Sequence, residues 1–424
     1  MMIAYLNPPQ ITELLPGYEL PSIPSAGVRV ILLRHGRSTL NEAKRFQDSS
    51  NRCELTAQGV AAAQAVGRFL ACCPIDAVLA SPAQQTQETV TSLLPYLKAS
   101  PLKQVEASSL LREIDLPAWN GLCIDDVRSQ QPTAYRCWRD TPDQFQMAWN
   151  SQIQSEETVL SRFYPVREAY ERARQFWQSM LLLYQGKTVL VVSHGGTNQA
   201  LINTALGLSA RQHHVMQQTP AGLTILDFKT PTPDQGRLQV LNLIVGDALQ
   251  PVYGNRLPKF EAGKQGLRLL LLPCQAHKTP LPTLATLLQG ETVQAAVVED
   301  GERTNAFPHN DLCHQTAQAL LKHNSETVVF SVQRSQFWYQ WQAAIQRSLK
   351  AHDHSGLTTV LAVAQSATLK QVLKTLLILP RDSSSVALQP NTLSVVHYPS
   401  AQDSPILQGL NLSPLAYENR QQMS

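Results

Sequence analysis

The feature that most constrains this fold is a segment with the pattern of a strand, a turn and a helix, which occurs twice in the chain. The chain reads TVLVVSHGGTNQALI over residues 188–202 and TVLAVAQSATLKQVL over residues 359–373. In each copy an apolar run typical of a buried strand leads through a short turn into a helical stretch. One difference between the copies is chemical, because the first has His194 where the second has Gln365.

Other stretches of the two halves also match, and they do so in the same order. The matched pairs are VRVILLRHGRST with LRLLLLPCQAHK, TPAGLTILDF with QPNTLSVVHY, and RLQVLNL with ILQGLNL. The matching stretches lie closer together in the second half, which indicates that a block was lost from its middle. This pattern favours an internal duplication with a shortened second copy, although the general similarity of apolar strands is the alternative explanation.

The alternation of apolar runs and helical stretches predicts the fold class. Short runs such as VRVILL, DAVLA and TVLVVS are separated by longer stretches such as TAQGVAAAQAVGRFLA. Strands that alternate with helices are typical of an α/β fold in which a mainly parallel sheet is covered on both faces. A chain of this length also suits two domains of roughly 200 residues each. The stretch after the first copy, which is rich in Gly and Pro, is the predicted linker.

Composition and charge exclude several kinds of protein. The net charge is +3 and 43% of the residues are hydrophobic, which is typical of globular proteins, so no nucleic-acid partner is expected. The apolar runs are too short for a membrane span and the N-terminus lacks the basic region of a signal peptide. We therefore expect no membrane association and a cytoplasmic location. The cysteines contain no CxxC pair, which predicts reduced thiols and no zinc site.

Two histidines directly follow predicted buried strands. His35 follows the run VRVILL as part of an Arg-His-Gly triplet, and His194 follows TVLVVS. Because the carboxyl ends of parallel strands open into one crevice, we expect the two imidazoles to meet there. The alternative for each histidine is a hydrogen-bonded residue that closes a strand.

These residue types suit phosphoryl transfer. A neutral imidazole is a nucleophile near pH 7, and fixed donors stabilise the charge on the transferring oxygens. Arg34 could bind a phosphate bidentately, while His194 and Asn41 could donate hydrogen bonds to it. Glu113 follows an apolar stretch, where partial burial would favour a protonated carboxyl that supplies a proton to the leaving oxygen. The alternatives for Glu113 are a solvated loop carboxylate or a partner for Arg112.

Five motifs together resemble the histidine phosphatase superfamily, also called the phosphoglycerate mutase-like group. They are LRHGRSTLN, RFQDSSNRCELTAQG, VLASPAQQTQET, LREIDLPAWNGL and VVSHGGTNQALI. The resemblance implies a three-layer α/β/α fold and chemistry that needs no metal or cofactor. It also implies that His35 becomes phosphorylated, that His194 contacts the phosphate and that Glu113 donates a proton. The predicted phosphate-binding and substrate-binding residues are Arg34, Arg37, Ser38, Asn41, Gln47, Gln85 and Gly195.

A narrower resemblance concerns the substrate. RSTLNEAKRFQDSSNRCELT, YPVREAYERARQFW and NQALINTALGL look like stretches of plant and cyanobacterial 2-carboxy-D-arabinitol-1-phosphatases, which also have a second, degenerate half. That family removes phosphate from sugar-phosphate inhibitors of Rubisco, so the resemblance implies a small phosphorylated sugar or sugar acid as substrate. Within YPVREAYERARQFW, Arg167 and Arg172 are also compatible with surface positions.

This chain departs from the superfamily pattern at two places. Gln85 stands where the family has a second arginine after its Ser-Pro motif, so one cationic phosphate contact is lost. Arg37, which stands where the family usually has Glu or Gln, is our candidate to compensate. The Gly-Glu-Ser segment common to mutases is absent from QMAWNSQIQSEET, which favours a phosphatase over a mutase.

The second copy lacks the chemical groups of the first. Pro273, Cys274 and Gln365 stand at the positions of the Arg-His pair and of the second histidine. We therefore expect a degenerate domain that serves as a packing partner, a wall of the active-site entrance or an oligomer surface. The predicted division is an N-terminal extension over residues 1–27, a catalytic domain over 28–247, a linker over 248–264, the degenerate domain over 265–413 and a tail over 414–424.

The favoured function is a phosphatase that acts on a small phosphorylated metabolite through a phosphohistidine at His35. Phosphoglycerate mutase is the near alternative. The alternative from a different class is a non-catalytic protein that binds a phosphorylated ligand and regulates a partner, and Gln85 motivates it. A homo-oligomer is also compatible with the sequence.

Overall fold

The computed structural model describes most of the chain. The described residues are 20–49, 53–97, 105–150, 160–245, 257–260, 263–274, 282–288, 290–300, 312–322, 326–343, 356–379, 385–400 and 403–413, with Leu15, Tyr18 and Asn324. The predicted tail and most of the predicted linker lie outside these residues. None of the helices in these ranges is long and apolar enough to cross a membrane.

Twelve strands form one sheet. They are β1 (Val28–Arg34), β2 (Ala77–Ala80), β3 (Val105–Ala107), β6 (Lys187–Ser193), β7 (Gly222–Phe228), β8 (Gly236–Ile244), β9 (Gly266–Cys274), β10 (Ala295–Asp300), β11 (Val328–Gln333), β12 (Leu357–Gln365), β13 (Leu393–Tyr398) and β14 (Ile406–Leu412). Their order across the sheet is β11-β10-β12-β9-β13-β14-β8-β7-β1-β6-β2-β3. The remaining two, β4 (Met147–Asn150) and β5 (Leu160–Phe163), form a separate antiparallel hairpin.

Helices accompany the strands over residues 39–205 and 312–376 of the described chain. They are α1 (Thr39–Glu42), α2 (Ala57–Phe69), α3 (Gln84–Leu93), α4 (Ile124–Gln130), α5 (Pro132–Asp140), α6 (Pro165–Leu183), α7 (Gly195–Ala205), α8 (Leu312–Leu320) and α9 (Ser366–Leu376). Short 3-10 turns cover Leu70–Cys72, Leu94–Tyr96, Ser109–Leu111, Pro142–Gln144, Ala210–Val215, Pro282–Leu288 and Arg334–Gln336.

Successive side chains of β1 enter two different cores. Val30 and Leu32 pack on one face of the sheet with residues of α6 and α7. Ile31 and Leu33 pack on the other face with residues of α2 and α3. A strand buried on both faces explains the continuous apolar run in the sequence. The expected α/β fold with helices on both sheet faces is confirmed, although the sheet is mixed because β7, β8, β13 and β14 include antiparallel pairs.

The two halves of the sheet repeat one strand order. The order β3-β2-β6-β1-β7-β8 corresponds strand by strand to β11-β10-β12-β9-β13-β14. Arg34 lies opposite Ser193 where β1 pairs with β6, and Cys274 lies opposite Gln365 where β9 pairs with β12. The two histidines directly follow the first of these pairs, so Cys274 and Gln365 occupy the equivalent edge of the second half.

Strands β8 and β14 join the two halves by antiparallel pairing. Asn242 donates through Nδ2 to the carbonyl oxygen of Gln408 at 2.7 Å, and Asn411 donates to the carbonyl oxygen of Gln239 at 2.6 Å. Both asparagines have a left-handed backbone, with φ of 54° and 55°. Asparagine is one of the residue types that adopts this conformation readily. Because the two contacts join equivalent positions of RLQVLNL and ILQGLNL, the junction has approximate two-fold symmetry.

The expectation of reduced thiols is wrong for one pair of cysteines. Cys274, at the end of β9, and Cys313, in α8, form a disulfide with Cα atoms 5.7 Å apart. The two residues are far apart in sequence, so only the packing of α8 against the sheet brings them together. The free cysteines in the described ranges are Cys53, Cys72, Cys73, Cys123 and Cys137.

Candidate active site

His35 and His194 meet at the carboxyl edge of β1 and β6. Their ring centroids lie 5.2 Å apart, and each residue is 1% exposed. His35 follows the last residue of β1, while His194 lies between β6 and α7. The in-register parallel pairing of the two strands brings both side chains to one place.

The hydrogen bonds of the two rings indicate which nitrogens are open to a ligand. Nδ1 of His35 lies 2.8 Å from the carbonyl oxygen of Gly36. A carbonyl oxygen can only accept, so Nδ1 carries the proton and Nε2 keeps its lone pair. Nε2 of His194 lies 2.8 Å from Oγ of Ser81, while its Nδ1 is buried without a partner among the described residues. His35 therefore presents a nucleophilic nitrogen, and His194 retains one nitrogen for a ligand.

Burial keeps both imidazoles neutral. It lowers the pKa of His35 well below the ordinary value of 6.5, and the neighbouring His194 and Arg34 lower it further. Burial likewise lowers the pKa of His194 to about 3, and the charges of Arg34 and Arg172 add to the effect. At pH 7 both rings are in the neutral form that a nucleophile requires.

Arg34 and Glu113 lie on either side of the start of α7. The guanidinium of Arg34 donates to the carbonyl oxygen of Gln218. A Cβ atom at Gly195 would lie 3.2 Å from Cζ of Arg34, and one at Gly196 would lie 2.8 Å from Oε1 of Glu113. The two glycines of the SHGG turn therefore let α7 approach both charged groups closely.

The carboxylate of Glu113 is held by the N-terminus of α7. It accepts hydrogen bonds from the backbone N–H of Thr197 at 3.0 Å and of Gly196 at 3.3 Å. Backbone donors at a helix N-terminus attract negative charge. Arg112 instead pairs with Asp115 at 3.4 Å. Of the alternatives that the sequence left open, the ion pair with Arg112 is thus wrong, while Glu113 does lie in a loop, where it is half-buried.

Gln85 is fully buried in α3. Neither its Oε1 nor its Nε2 has a partner in the described part of the chain. One turn later on the same helix, Oγ1 of Thr89 accepts from the backbone N–H of Gly36 at 3.0 Å, so this side of α3 packs against the loop of His35. A buried amide without a partner destabilises the protein unless a ligand pairs with it.

A cavity of about 340 Å³ opens next to the two histidines. The predicted site residues that line it are Arg34, Asn41, Gln47, Glu113 and Gly195. Ser38 is buried nearby, where its Oγ accepts from Nε2 of Gln47 at 2.7 Å. Arg37 is exposed and is not among the residues that line this cavity, so its compensating role stays a prediction.

The cavity is cationic. Arg45, Arg128 and Arg139 line it together with Arg34, and Glu113 is the one carboxylate among its described lining residues. Sequence reasoning did not single out Arg45, although it begins the motif RFQDSSNRCELTAQG, and Arg128 and Arg139 lie outside the recognised motifs. Their positions favour a ligand that carries negative charge beyond a single phosphate.

The second half of the chain forms part of the cavity wall. His397 of β13 and Ile406 of β14 line it. Next to this wall, Nε2 of Gln408 donates to Oε1 of Gln217 at 3.0 Å. The carbonyl oxygen of the following residue, Gln218, accepts from the guanidinium of Arg34, so β14 supports the segment that orients that arginine.

Sequence reasoning missed two residues that hold the site. Ser81 contacts His194 and directly follows β2 at the same sheet edge, a position from which it could have been identified. Arg172 donates to the carbonyl oxygens of Arg112 at 2.8 Å and of Glu113 at 3.2 Å. Because Arg172 is buried, the surface alternative is wrong for it. No local pattern distinguishes it from the exposed arginines of α6.

Fold and site together define an α/β protein with a buried pair of neutral histidines beside an arginine. Residues 30–243 match the model of the histidine phosphatase superfamily (branch 1), so the chain belongs to that superfamily. The resemblance stated from the motifs is confirmed.

Similar proteins were found among both sequences and structures. The chain is 30% identical over 250 residues to a probable 2-carboxy-D-arabinitol-1-phosphatase of Arabidopsis thaliana, covering 59% of this chain and 47% of the relative. It is also 30% identical over 248 residues to the 2-carboxy-D-arabinitol-1-phosphatase of Triticum aestivum, covering 58% and 46%. The chain thus matches about half the length of these relatives. A mycobacterial glucosyl-3-phosphoglycerate phosphatase of known structure is 22% identical, with a TM-score of 0.40 over 50% of this chain and 98% of that one.

Proposed function

We propose that the protein is a phosphatase that removes phosphate from a small phosphorylated sugar or sugar acid through a phosphohistidine at His35. The observation that carries this proposal is the buried, neutral His35 ring, which keeps Nε2 unprotonated and lies 5.2 Å, centroid to centroid, from His194 next to the cavity that Arg34 lines. No group other than these side chains is needed to form the covalent intermediate.

The first half of the proposed reaction transfers the phosphoryl group to the enzyme. The phosphate binds to the guanidinium of Arg34 and to the open ring nitrogen of His194, with the amide of Gln85 as a neutral donor. Nε2 of His35 attacks phosphorus, and the bond between phosphorus and the leaving oxygen breaks. A substrate phosphate that binds as its monoanion passes its proton to the carboxylate of Glu113, and Glu113 delivers that proton to the leaving oxygen.

The second half of the reaction restores the enzyme. The oxygen of a water molecule attacks phosphorus, and the N–P bond to His35 breaks. The electron pair of that bond returns to Nε2, and the proton lost by the water passes to Glu113. Glu113 passes this proton to the departing phosphate, so each residue then has the protonation state with which the cycle began.

The cavity supports a substrate that has a second acidic group. Its arginines outnumber its single carboxylate among the described lining residues. A carboxylate or a further phosphate on the substrate would pair with Arg45 or Arg139, since such charge-assisted contacts are among the stronger hydrogen bonds. The names of the two plant relatives fit this chemistry, because 2-carboxy-D-arabinitol 1-phosphate carries both a phosphate and a carboxylate.

A second function is favoured by one observation, the absence of a second cation at Gln85. On this alternative the protein binds a phosphorylated ligand without hydrolysing it. Assays of 2-carboxy-D-arabinitol 1-phosphate and a panel of other sugar phosphates separate the two functions. Tight binding of one compound without release of phosphate from any of them would support the alternative.

The phosphatase proposal is tested with His35→Ala and with His314→Ala as a matched control in the second half. We expect His35→Ala to lose about a thousandfold or more of the activity, and His314→Ala to retain it. Rapid base quenching with a substrate labelled in its phosphate should trap a base-stable, acid-labile phosphohistidine in the wild type. Full activity of His35→Ala, or activity lost on chelation with EDTA, would overturn the proposal.

A further inference from the structure

A second cavity, of about 490 Å³, lies where α6 begins and β5 ends. It shares no lining residue with the cavity beside the histidines. We call it the arginine cavity, because arginines dominate its lining. Its charged lining residues are Arg112, Arg162, Arg167, Arg172, Glu168 and Glu171.

Much of the negative charge at the arginine cavity is already compensated. Glu171 forms an ion pair with Arg174 at 2.7 Å, a residue that does not line the cavity. Burial and the neighbouring Asp115 raise the pKa of Glu168 above its ordinary value, although the charges of Arg172 and Arg112 lower it. On the cationic side, Arg112 is paired with Asp115 at 3.4 Å. The balance of the remaining charges is therefore positive.

Arg162 and Arg167 keep uncompensated charge at the cavity. Arg162 is exposed. Arg167 donates through Nε to the carbonyl oxygen of Asp143, and its guanidinium lies 4.1 Å from the ring centroid of Tyr164. Together with Arg172, these residues form no ion pair with any carboxylate in the part of the chain that the structure describes. A carbonyl or an aromatic ring does not neutralise a guanidinium, so the charge remains available to a ligand.

Arg172 is the most constrained of the three. It is 8% exposed, and its two terminal nitrogens donate to the carbonyl oxygens of Arg112 and Glu113. Its Nε is buried with no partner among the described residues. No described carboxylate forms an ion pair with this guanidinium, although Asp115, Glu113 and Glu168 attract it at longer range, so an anion at the cavity would give it a direct partner.

We propose that the arginine cavity binds a small oxyanion with at least two negative charges, at a site separate from the histidines. Phosphate and carboxylate groups share the required chemistry, because both accept hydrogen bonds from a guanidinium in pairs. Arg162 and Arg167 contact the ligand from the exposed side. Since Arg172 also holds the carbonyl oxygen of Glu113, an occupied cavity stabilises the loop that carries Glu113.

The proposal is tested by calorimetric titration of the full-length protein with pyrophosphate and, separately, with citrate. Arg34→Ala removes the phosphate-binding arginine beside the histidines, and two charge reversals in this background then assign the binding that remains to one cavity or the other. We expect Arg34→Ala to retain binding of at least one probe. Arg162→Glu in the Arg34→Ala background should weaken that binding about tenfold or more, because it replaces an attraction with a repulsion. Arg136→Glu in the same background is the matched control, since this exposed arginine makes the same charge change outside both cavities.

The outcomes distinguish a phosphate ligand from a carboxylate ligand, and each of them from the absence of an anion site in the arginine cavity. Binding of pyrophosphate alone assigns a phosphorylated ligand, and binding of citrate alone assigns a carboxylate. Loss of all binding in Arg34→Ala, or equal binding by the Arg162→Glu and Arg136→Glu proteins, overturns the site. Hydrogen exchange supplies a second measurement, in which the bound probe should protect backbone amides of residues 112–116 and 162–172. These measurements need no turnover, so their failure is independent of the proposed phosphatase activity.

Discussion

Replacement of Gln85 by methionine should stabilise the free protein and weaken its binding of phosphate. The buried amide has no partner in the described residues, and an unpaired buried polar group costs about 1–3 kcal/mol. Methionine has a similar shape without that cost, so we expect Gln85→Met to gain about this much free energy of unfolding. For a chain of 424 residues this corresponds to a rise of about 1–3 °C in Tm. Thermal unfolding with and without inorganic phosphate measures both effects.

A second glutamine of the same helix, Gln87, provides the control for this experiment. Gln87 lies on the same helix, but its Nε2 donates to the carbonyl oxygen of Ser81 at 2.7 Å. Gln87→Met should therefore lower Tm, whereas Gln85→Met should raise it. If Gln85→Met lowers Tm as Gln87→Met does, the Gln85 amide has a partner within the protein and the reasoning is refuted. If Tm rises but the shift produced by phosphate stays unchanged, Gln85 does not contact the phosphate.

Two further predictions concern buried groups around the site. Burial lowers the pKa of His213 well below 6.5, so the unfolded chain binds a proton there more readily than the folded protein does. Its contribution to stability is intact above pH 6.5 and is lost as the pH falls below it, at about 1.4 kcal/mol per pH unit. His213→Phe should reduce the slope of unfolding free energy by about half of that amount at pH 6.5 and by nearly all of it at pH 5, and an unchanged slope would contradict this. Gln408→Leu removes the amide that donates to Gln217, whose neighbour Gln218 accepts from Arg34. We therefore expect Arg34 to be less well oriented and to bind the substrate phosphate more weakly. An increase in KM with little change in kcat measures this, and unchanged KM would show that β14 does not orient the arginine.

The strands and the histidine pair could be predicted because their signals are local. Each strand that is buried on both faces appears as a short apolar run, and His35 and His194 each follow such a run directly. Parallel neighbours then bring their ends to one edge, which needs no knowledge of packing distances. The mixed character of the sheet escaped prediction, because the direction of β7 and β13 depends on connections rather than on composition.

The residues that sequence analysis missed owe their roles to contacts between distant segments. Arg172 belongs to a helix with several arginines, and only tertiary packing puts it beneath the carbonyl oxygen of Glu113. Cys274 and Cys313 form their disulfide because α8 packs against the sheet, and the spacing of the cysteines in the sequence does not predict that contact. The contact of Gln408 with Gln217 joins the two halves of the chain, so neither half alone predicts it.

The symmetric junction of β8 with β14 has the form of an isologous interface, in which a surface meets its own equivalent. A polypeptide that stopped after the first half would leave the edge of β8 unpaired, with Gln239 and Asn242 already placed to fit a second copy of the same edge. Such a fragment should form homodimers through this edge. In the natural chain the covalent connection makes the encounter intramolecular, which gives each half a partner at any protein concentration.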